Sequence, residues 1–253
     1  MFQIDRYKII HDYLMKNKKA TINELSDICQ VTPMTIRRDL DKMEKDNLVK
    51  RVFGGVIIKN NLVPDIPYEQ KEKVYVDQKS RIGKKASELV KDGAIIVLDS
   101  GTTCMEIAKN ITDKKNLKVI TTDILIAAYL MKFDNIEVYC TGGRVQPKVG
   151  GCIDYNTLKF LENINADICF LGASAIHTDY GLFTFTVEKC EVKKVILKSS
   201  DYKVLVADDS KFNKKSFVKV CNIEELNEVI INDELSEKIK EELKKNNINF
   251  KLV

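Results

Sequence analysis

The chain has 253 residues, 44% apolar and 31% charged, with 11 glycines and 4 prolines. That composition is ordinary for compact globular domains, excludes long low-complexity segments, and at this length fits a small domain joined to a medium one. No run approaches the roughly 18 apolar residues of a membrane span, and Met1-Phe-Gln-Ile-Asp-Arg6 lacks the basic flank and apolar run of an export signal, so a cytoplasmic protein is expected.

The net charge of +4 is unevenly placed. Residues 1–59 hold 12 Lys and Arg against 8 Asp and Glu, and the remainder holds 29 against 29. A basic module joined to a neutral one points to a polyanion for the first and a different partner for the second. Seven cysteines stand singly with only His11 and His177 beside them, a pattern of buried reduced thiols; no metal and no cofactor are expected.

In chain order, Ile4, Ile9, Ile10, Tyr13 and Leu14 mostly follow helical spacing with Arg6, Lys8, His11, Asp12 and Lys16 turned outward, and Asn17-Lys-Lys-Ala20 ends that helix. Thr21-Ile-Asn-Glu24 has the Thr-x-x-Glu pattern of a capping box, which predicts a short helix from Ile22 to Cys29. Only Gln30 and Val31 separate it from Thr32-Pro33, a cap followed by proline at the first helical position. Two helices joined so tightly cross steeply, as in a DNA-binding helix-turn-helix. In the helix spanning 33–46, Ile36, Leu40 and Met43 should be core, leaving Met34, Thr35, Arg37, Arg38 and Asp41 outward.

With Thr32, the residues Met34, Thr35, Arg37 and Arg38 are the candidate DNA contacts, where arginine can read guanine or clamp phosphate. The competing reading is a solvated face with ion pairs inside Arg37-Arg38-Asp39. The segment 48–58, with Lys50, Arg51 and a Gly54-Gly55 turn signal, predicts a β-hairpin wing carrying two cations for phosphate.

The run Val31-Thr-Pro-Met-Thr-Ile-Arg-Arg-Asp-Leu40 with Arg51-Val-Phe-Gly-Gly55 resembles the DeoR/GlpR family of bacterial transcriptional regulators. Asn60, Asn61, Pro64 and Pro67 then mark a linker, giving an expected division of 1–59 for the winged helix-turn-helix, 60–76 for the linker and 77–253 for the second domain.

From about Asp77 to Lys91 a helix is expected, then apolar strands at Ala94–Asp99, Leu117–Thr121, Ile136–Cys140, Ile168–Leu171, Lys203–Ala207 and Glu228–Ile231 with helices between most of them. The fold class is therefore α/β: a small winged helix-turn-helix followed by a larger α/β domain with a mainly parallel sheet and ligand loops at the strand ends. Asp99-Ser-Gly-Thr-Thr103 offers hydroxyls and helix N–H groups to an anion, although Ser-Gly-Thr is also a common capping turn. Thr122-Asp123, Gly142-Gly143-Arg144 and Asp208–Lys211 close three further strands with similar chemistry.

The segment from about Tyr68 to Val253 resembles the effector domain of the same family, itself similar to ribose-5-phosphate isomerase. The resemblance implies a phosphorylated sugar held by Ser100, Gly101, Thr102, Thr103, Gly142, Gly143 and Lys211, with Glu188 and Lys194 where the family has a Glu and a basic pair. Where the family has Thr-Asn this chain has Thr122-Asp123, a carboxylate expected to repel phosphate and favour a hydroxyl or amine. The alternative is a sugar-phosphate isomerase with a DNA-binding appendage. Isomerisation needs a general base, usually a carboxylate. In the isomerases that this segment resembles, the strand corresponding to Phe170-Leu-Gly-Ala173 continues with acidic residues, whereas this chain continues Ser174-Ala-Ile176, leaving Asp99, Asp123, Asp179 and Glu188 as substitutes. No catalytic residue is assigned. The expectation is a repressor of a sugar operon, a dimer or tetramer on a double-stranded operator, modulated by a phosphorylated sugar.

Overall fold

The computed structural model describes residues 3–45, 49–58 and 67–253. Helix α1 (Gln3–Asn17) ends where Lys18 becomes left-handed at φ 67°, and the chain passes into a short strand, β1 (Lys19–Thr21). Thr21 caps α2 (Ile22–Cys29): its hydroxyl accepts from the Glu24 N–H at 3.2 Å, and the Glu24 carboxylate accepts from the Thr21 N–H at 2.7 Å. Left-handed Gln30 stops this helix, and α3 (Pro33–Lys45) begins after Thr32, whose hydroxyl accepts from the Thr35 N–H at 3.3 Å.

Ile10, Leu14, Leu25, Cys29, Ile36, Leu40 and Met43 are fully buried in one core, as the spacing predicts. Arg6 is not outward: it is 6% exposed and reaches the fully buried Asp39 at 2.6 Å. The pairing within Arg37-Arg38-Asp39 thus gives way to a bridge between helices.

Strands β2 (Val49–Val52) and β3 (Gly55–Ile58) form the wing, and β1 pairs along β3 to give the order β1-β3-β2. Leu48, the expected start of the wing, lies outside the described residues. The two turn residues are Phe53 and Gly54, the latter at φ 79°, not Gly54 and Gly55. Gly55 is a strand residue in which a Cβ would collide with the Ala20 carbonyl of β1.

Of the expected linker, Asn60, Asn61 and Pro64 fall outside the described residues, whereas α4 (Tyr68–Glu72) is a helix docked by its buried Tyr68, whose N–H donates to the Lys148 carbonyl at 2.8 Å. There follow α5 (Val76–Ser87), β4 (Ile95–Leu98), α6 (Thr102–Lys109), β5 (Leu117–Thr121), α7 (Ile124–Leu130) and β6 (Ile136–Cys140). Next come α8 (Tyr155–Glu162), β7 (Ala166–Leu171), β8 (Ala175–His177), β9 (Gly181–Thr184), α9 (Val187–Lys198) and β10 (Ser200–Val206). The chain closes with β11 (Val218–Cys221), β12 (Glu228–Ile231), α10 (Glu237–Lys245) and β13 (Phe250–Leu252).

The seven-stranded sheet has the order β13-β12-β10-β7-β4-β5-β6, and every neighbouring pair is parallel. Alternate residues feed opposite faces: Ile96 and Leu98 pack with α5, α6 and α7, and Val97 with α8, α9 and α10. A second, antiparallel sheet of order β11-β9-β8, not anticipated from the sequence, lies against α9.

The first core is not closed by its own residues alone. Phe217, just before β11, is 5% exposed and belongs to it; the His11 ring stacks on Phe217 with centroids 4.0 Å apart, and Val187 and Val218 pack beside it.

Candidate functional site

The first candidate surface is built on α3. Its buried stripe fixes the outward direction of Met34, 70% exposed, and of Arg37 and Arg38. Because Asp39 is committed to Arg6, neither arginine makes an ion pair with a described residue. The wing is fastened to the same helix. Arg51 reaches Asp41 at 2.5 Å, and its N–H donates to the Glu44 carboxylate at 2.8 Å. Arg37 then shares one hollow with Arg51, Val52 and Gly54, so helix and wing face the same side; Thr32 and Lys50 are also exposed.

The second candidate site follows from strand order. From β4 the chain moves outward through β5 and β6, then returns to β7 on the other flank of β4 and continues through β10. Connections that diverge in this way leave a crevice beyond the carboxyl ends of the strands at the reversal. There a cavity of about 270 Å³ is floored by 100–104 after β4, Gly172–Ser174 after β7, and Asp208, Ser210 and Lys211 after β10.

Gly101 adopts φ 142°, and its N–H donates to Asp123 at 3.0 Å. The first internal bond of α6 is Met105 N–H to the Gly101 carbonyl at 3.0 Å, which leaves the N–H groups of Thr102, Thr103 and Cys104 at the positive end of the helix dipole, facing the cavity.

Lysines surround this helix end. Lys79 is 5% exposed; its ammonium donates to the Lys71 and Val74 carbonyls, the latter at 2.8 Å, and burial lowers its pKa to about 8. Burial also lowers the pKa of Lys211, whose Nζ lies 4.0 Å from Asp208 Oδ2. Lys189, Lys193 and Lys214 complete the ring with Lys71. Two acceptors remain open: Thr184 Oγ1 and Asp208 Oδ2 are buried, have no hydrogen-bond partner, and belong to residues that line the cavity. Groups of this kind need a partner.

The expected effector residues divide accordingly. Ser100, Gly101, Thr102, Thr103 and Lys211 line the cavity. Asp99 lies beneath it, in a buried pair with Lys193 while accepting from the Gly172 N–H at 3.1 Å. Thr122 and Asp123 do not line it: both are buried at the end of β5, and the Asp123 carboxylate, its pKa raised by burial, accepts backbone N–H groups of Gly101 and Leu125. Asp123 therefore shapes the loop and does not oppose a ligand anion.

Gly142 and Gly143 follow β6, two strands and so about 10 Å from β4, and neither lines the cavity. The Gly142 carbonyl accepts from the Thr157 hydroxyl at 2.8 Å, and a Cβ on Gly143 would collide with the Asp154 carboxylate.

The sequence reading missed Lys71, Lys79, Lys189, Lys193, Lys214 and Thr184. One signal was available: Lys189 and Lys193 are spaced i, i+4 on the stripe that Ile196 and Leu197 continue inward, and all four are buried. Lys194, singled out instead, pairs with Glu191 at 3.0 Å, and Glu188 reaches Arg144 at 3.7 Å.

The DeoR-like helix-turn-helix domain matches residues 6–61, and the DeoR C terminal sensor domain matches residues 75–233. The chain belongs to the DeoR family. An uncharacterised HTH-type transcriptional regulator of Haemophilus influenzae is 33% identical to this DeoR-family chain over 253 residues, 100% of it and 98% of the relative. The glycerol-3-phosphate regulon repressor of Escherichia coli is 29% identical over 88% of each chain. Ribose 5-phosphate isomerase A of Methanocaldococcus jannaschii covers 54% of each chain at 20% identity and a TM-score of 0.40.

This member of the DeoR family is a DNA-binding transcriptional regulator and not an isomerase: its relatives over nearly their whole length are regulators. Of the carboxylates weighed as a catalytic base, Asp99, Asp123, Asp179 and Glu188, none lines the cavity. Among the described residues, no helix is long and apolar enough to cross a membrane.

Proposed function

We propose that the protein represses a sugar-metabolism operon from the cytoplasm and that a phosphorylated sugar in the cavity weakens its hold on the operator. The observation that carries this reading is shared architecture. Thr184, Phe185 and Lys189 line the cavity while Val187 between them packs on the first core; Lys211 and Lys214 line it while Phe217 and Val218 do the same. A ligand that draws either segment inward therefore moves the seat of the DNA module. Coupling of about 1–3 kcal/mol, typical of allostery, changes affinity roughly 5- to 150-fold.

In this reading residues 1–59 read DNA, 60–76 connect and 77–253 sense, with Lys71, Val74 and Tyr75 at the end of the connecting segment joining the sensor's cavity. The phosphate sits on the N–H groups of α6 between Lys79 and Lys211, and sugar hydroxyls donate to Asp208 and Thr184. Thr32, Met34, Thr35, Arg37 and Arg38 face the major groove, with Lys50 and Arg51 on phosphate. Palindromic half-sites call for a dimer or tetramer. A thermal-shift screen of sugar phosphates and matched unphosphorylated sugars, followed by operator binding with each hit, tests the scheme. If no phosphorylated sugar raises the melting temperature, the sensor assignment fails.

Two outcomes are expected with any hit. The bound anion raises the Lys79 pKa from about 8, so affinity is complete below pH 8 and falls as pH rises through the bound-state value. The phosphate, with its second pKa of about 6, stays doubly charged across that window. Calorimetry from pH 7.5 to 9.5 should show a loss of several-fold to about tenfold, and Lys79→Gln should flatten the profile. An equally steep profile in the variant would remove Lys79 from ligand binding. Phe217→Ala, which deletes the ring under His11, should leave ligand affinity within about threefold but shrink the ligand-induced change in operator affinity to under about half of its free energy. Full retention of that change would break the proposed route.

A further inference from the structure

Phe53 has the largest exposure among the described large apolar residues, 108%, at the tip of the wing turn. Single exposed apolar side chains are ordinary; this one is set apart by its flanks, since Lys50 and Arg51 precede it on β2, and the hollow beside the turn is shared with Arg37 of α3. The turn is also fixed in place, because Arg51 is tied to Asp41 and Glu44 on α3. In the docking proposed above, with α3 in the major groove, cations so placed would draw the tip toward the adjoining phosphate backbone and the minor groove beyond it.

We propose that Phe53 is a minor-groove wedge, its ring pressing into a base step beside each half-site while Lys50 and Arg51 hold the flanking phosphates. Apolar side chains used in this way partly unstack the step they enter, and pyrimidine–purine steps such as TA and CA yield most easily. The wing thereby selects a deformable step that no side chain hydrogen-bonds, adding sequence preference outside the bases read by α3. The inference rests on α3 being the reading helix.

The test uses the full chain and a duplex that it selects from a randomised pool, with 2-aminopurine at the flanking step. Wild-type protein should raise the 2-aminopurine fluorescence and should bind several-fold more weakly when that step is replaced by a stiff A-tract. Phe53→Ala should abolish the fluorescence rise and the step preference and lower affinity roughly tenfold without changing the salt slope, since no charge is lost. Phe53→Leu should keep most of the effect.

Unchanged affinity and fluorescence in Phe53→Ala would overturn the wedge, as would a loss of self-association in the absence of DNA, which would make the ring a contact between copies. The double variant Arg37→Ala/Arg38→Ala separates the premises. Unimpaired binding there overturns the reading of α3 and the wedge with it; a collapse there beside an unaffected Phe53→Ala overturns the wedge alone.

Discussion

Replacing Arg37 and Arg38 together with alanine should lower operator affinity by on the order of 100-fold or more and reduce the dependence of binding on salt. An arginine that reads a guanine edge is worth about 1–3 kcal/mol, so two such losses sum to about 2–6 kcal/mol, most of which range lies above 100-fold, and an arginine on phosphate adds to the loss at every sequence. The expectation is sharpened by what the pair does not do. Asp39 is fully buried and engaged by Arg6 from α1, so neither Arg37 nor Arg38 is needed for an internal bridge. The double variant should therefore melt at the wild-type temperature while failing to bind. Fluorescence anisotropy against salt concentration separates the two roles: loss of a phosphate contact lowers the slope by about one, whereas loss of base reading relaxes sequence preference at one position. Wild-type affinity in the double variant would dismiss α3 as the reading helix.

The first module was legible because its signals are local. Thr21 and Glu24 cap a helix within one turn, Thr32-Pro33 starts the next, and the spacing of Ile36, Leu40 and Met43 leaves a single face for the arginines. What escaped was decided across the chain. Lys19–Thr21 is too short to alternate and becomes a strand because β3 lies alongside it; Arg6 reads as a surface residue until Asp39 arrives from 33 positions away.

The sheet shows the same division. The bounds of β5, β6 and β12 can be read from apolar runs, whereas Phe250–Leu252 carries a lysine at its centre and is a strand only because β12 offers it an edge. For the cavity, glycine and hydroxyl clusters at strand ends marked positions with unusual backbone; those at 100–103 line the cavity, whereas Gly142-Gly143, marked for the same reason, do not. Which strand ends meet depends on strand order, and order is set by pairings that no local pattern encodes. The lysines come from α4, α5, α9 and the loop before β11, and only the closed fold brings them together.

The pair beneath the cavity gives the second large effect, this time on stability. Asp99 and the Lys193 ammonium are each under 10% exposed; the Lys193 Nζ also donates to the Gly172 carbonyl at 2.9 Å, and Asp99 accepts from the Gly172 N–H. Together they lock the loop after β7 to the loop after β4. Lys193→Met leaves a carboxylate buried with one backbone donor, and removing one partner of such a pair costs about 3–5 kcal/mol. Removing both charges costs much less, because the desolvation each charge suffers on burial disappears with it. Urea titration of the sensor transition should therefore show Lys193→Met strongly destabilised and Lys193→Met/Asp99→Asn recovering at least half of the loss. The same pair of variants tests what Asp99 does. Lys193 lines the cavity, so both variants lack one of its cations and the comparison between them isolates Asp99. If Asp99 touches ligand directly, the double variant should bind ligand more weakly than folded Lys193→Met; if it acts by holding Lys193 and Gly172, the double variant should bind no more weakly. The geometry favours the second outcome, since the Asp99 carboxylate is spent on Lys193 and Gly172 and does not line the cavity.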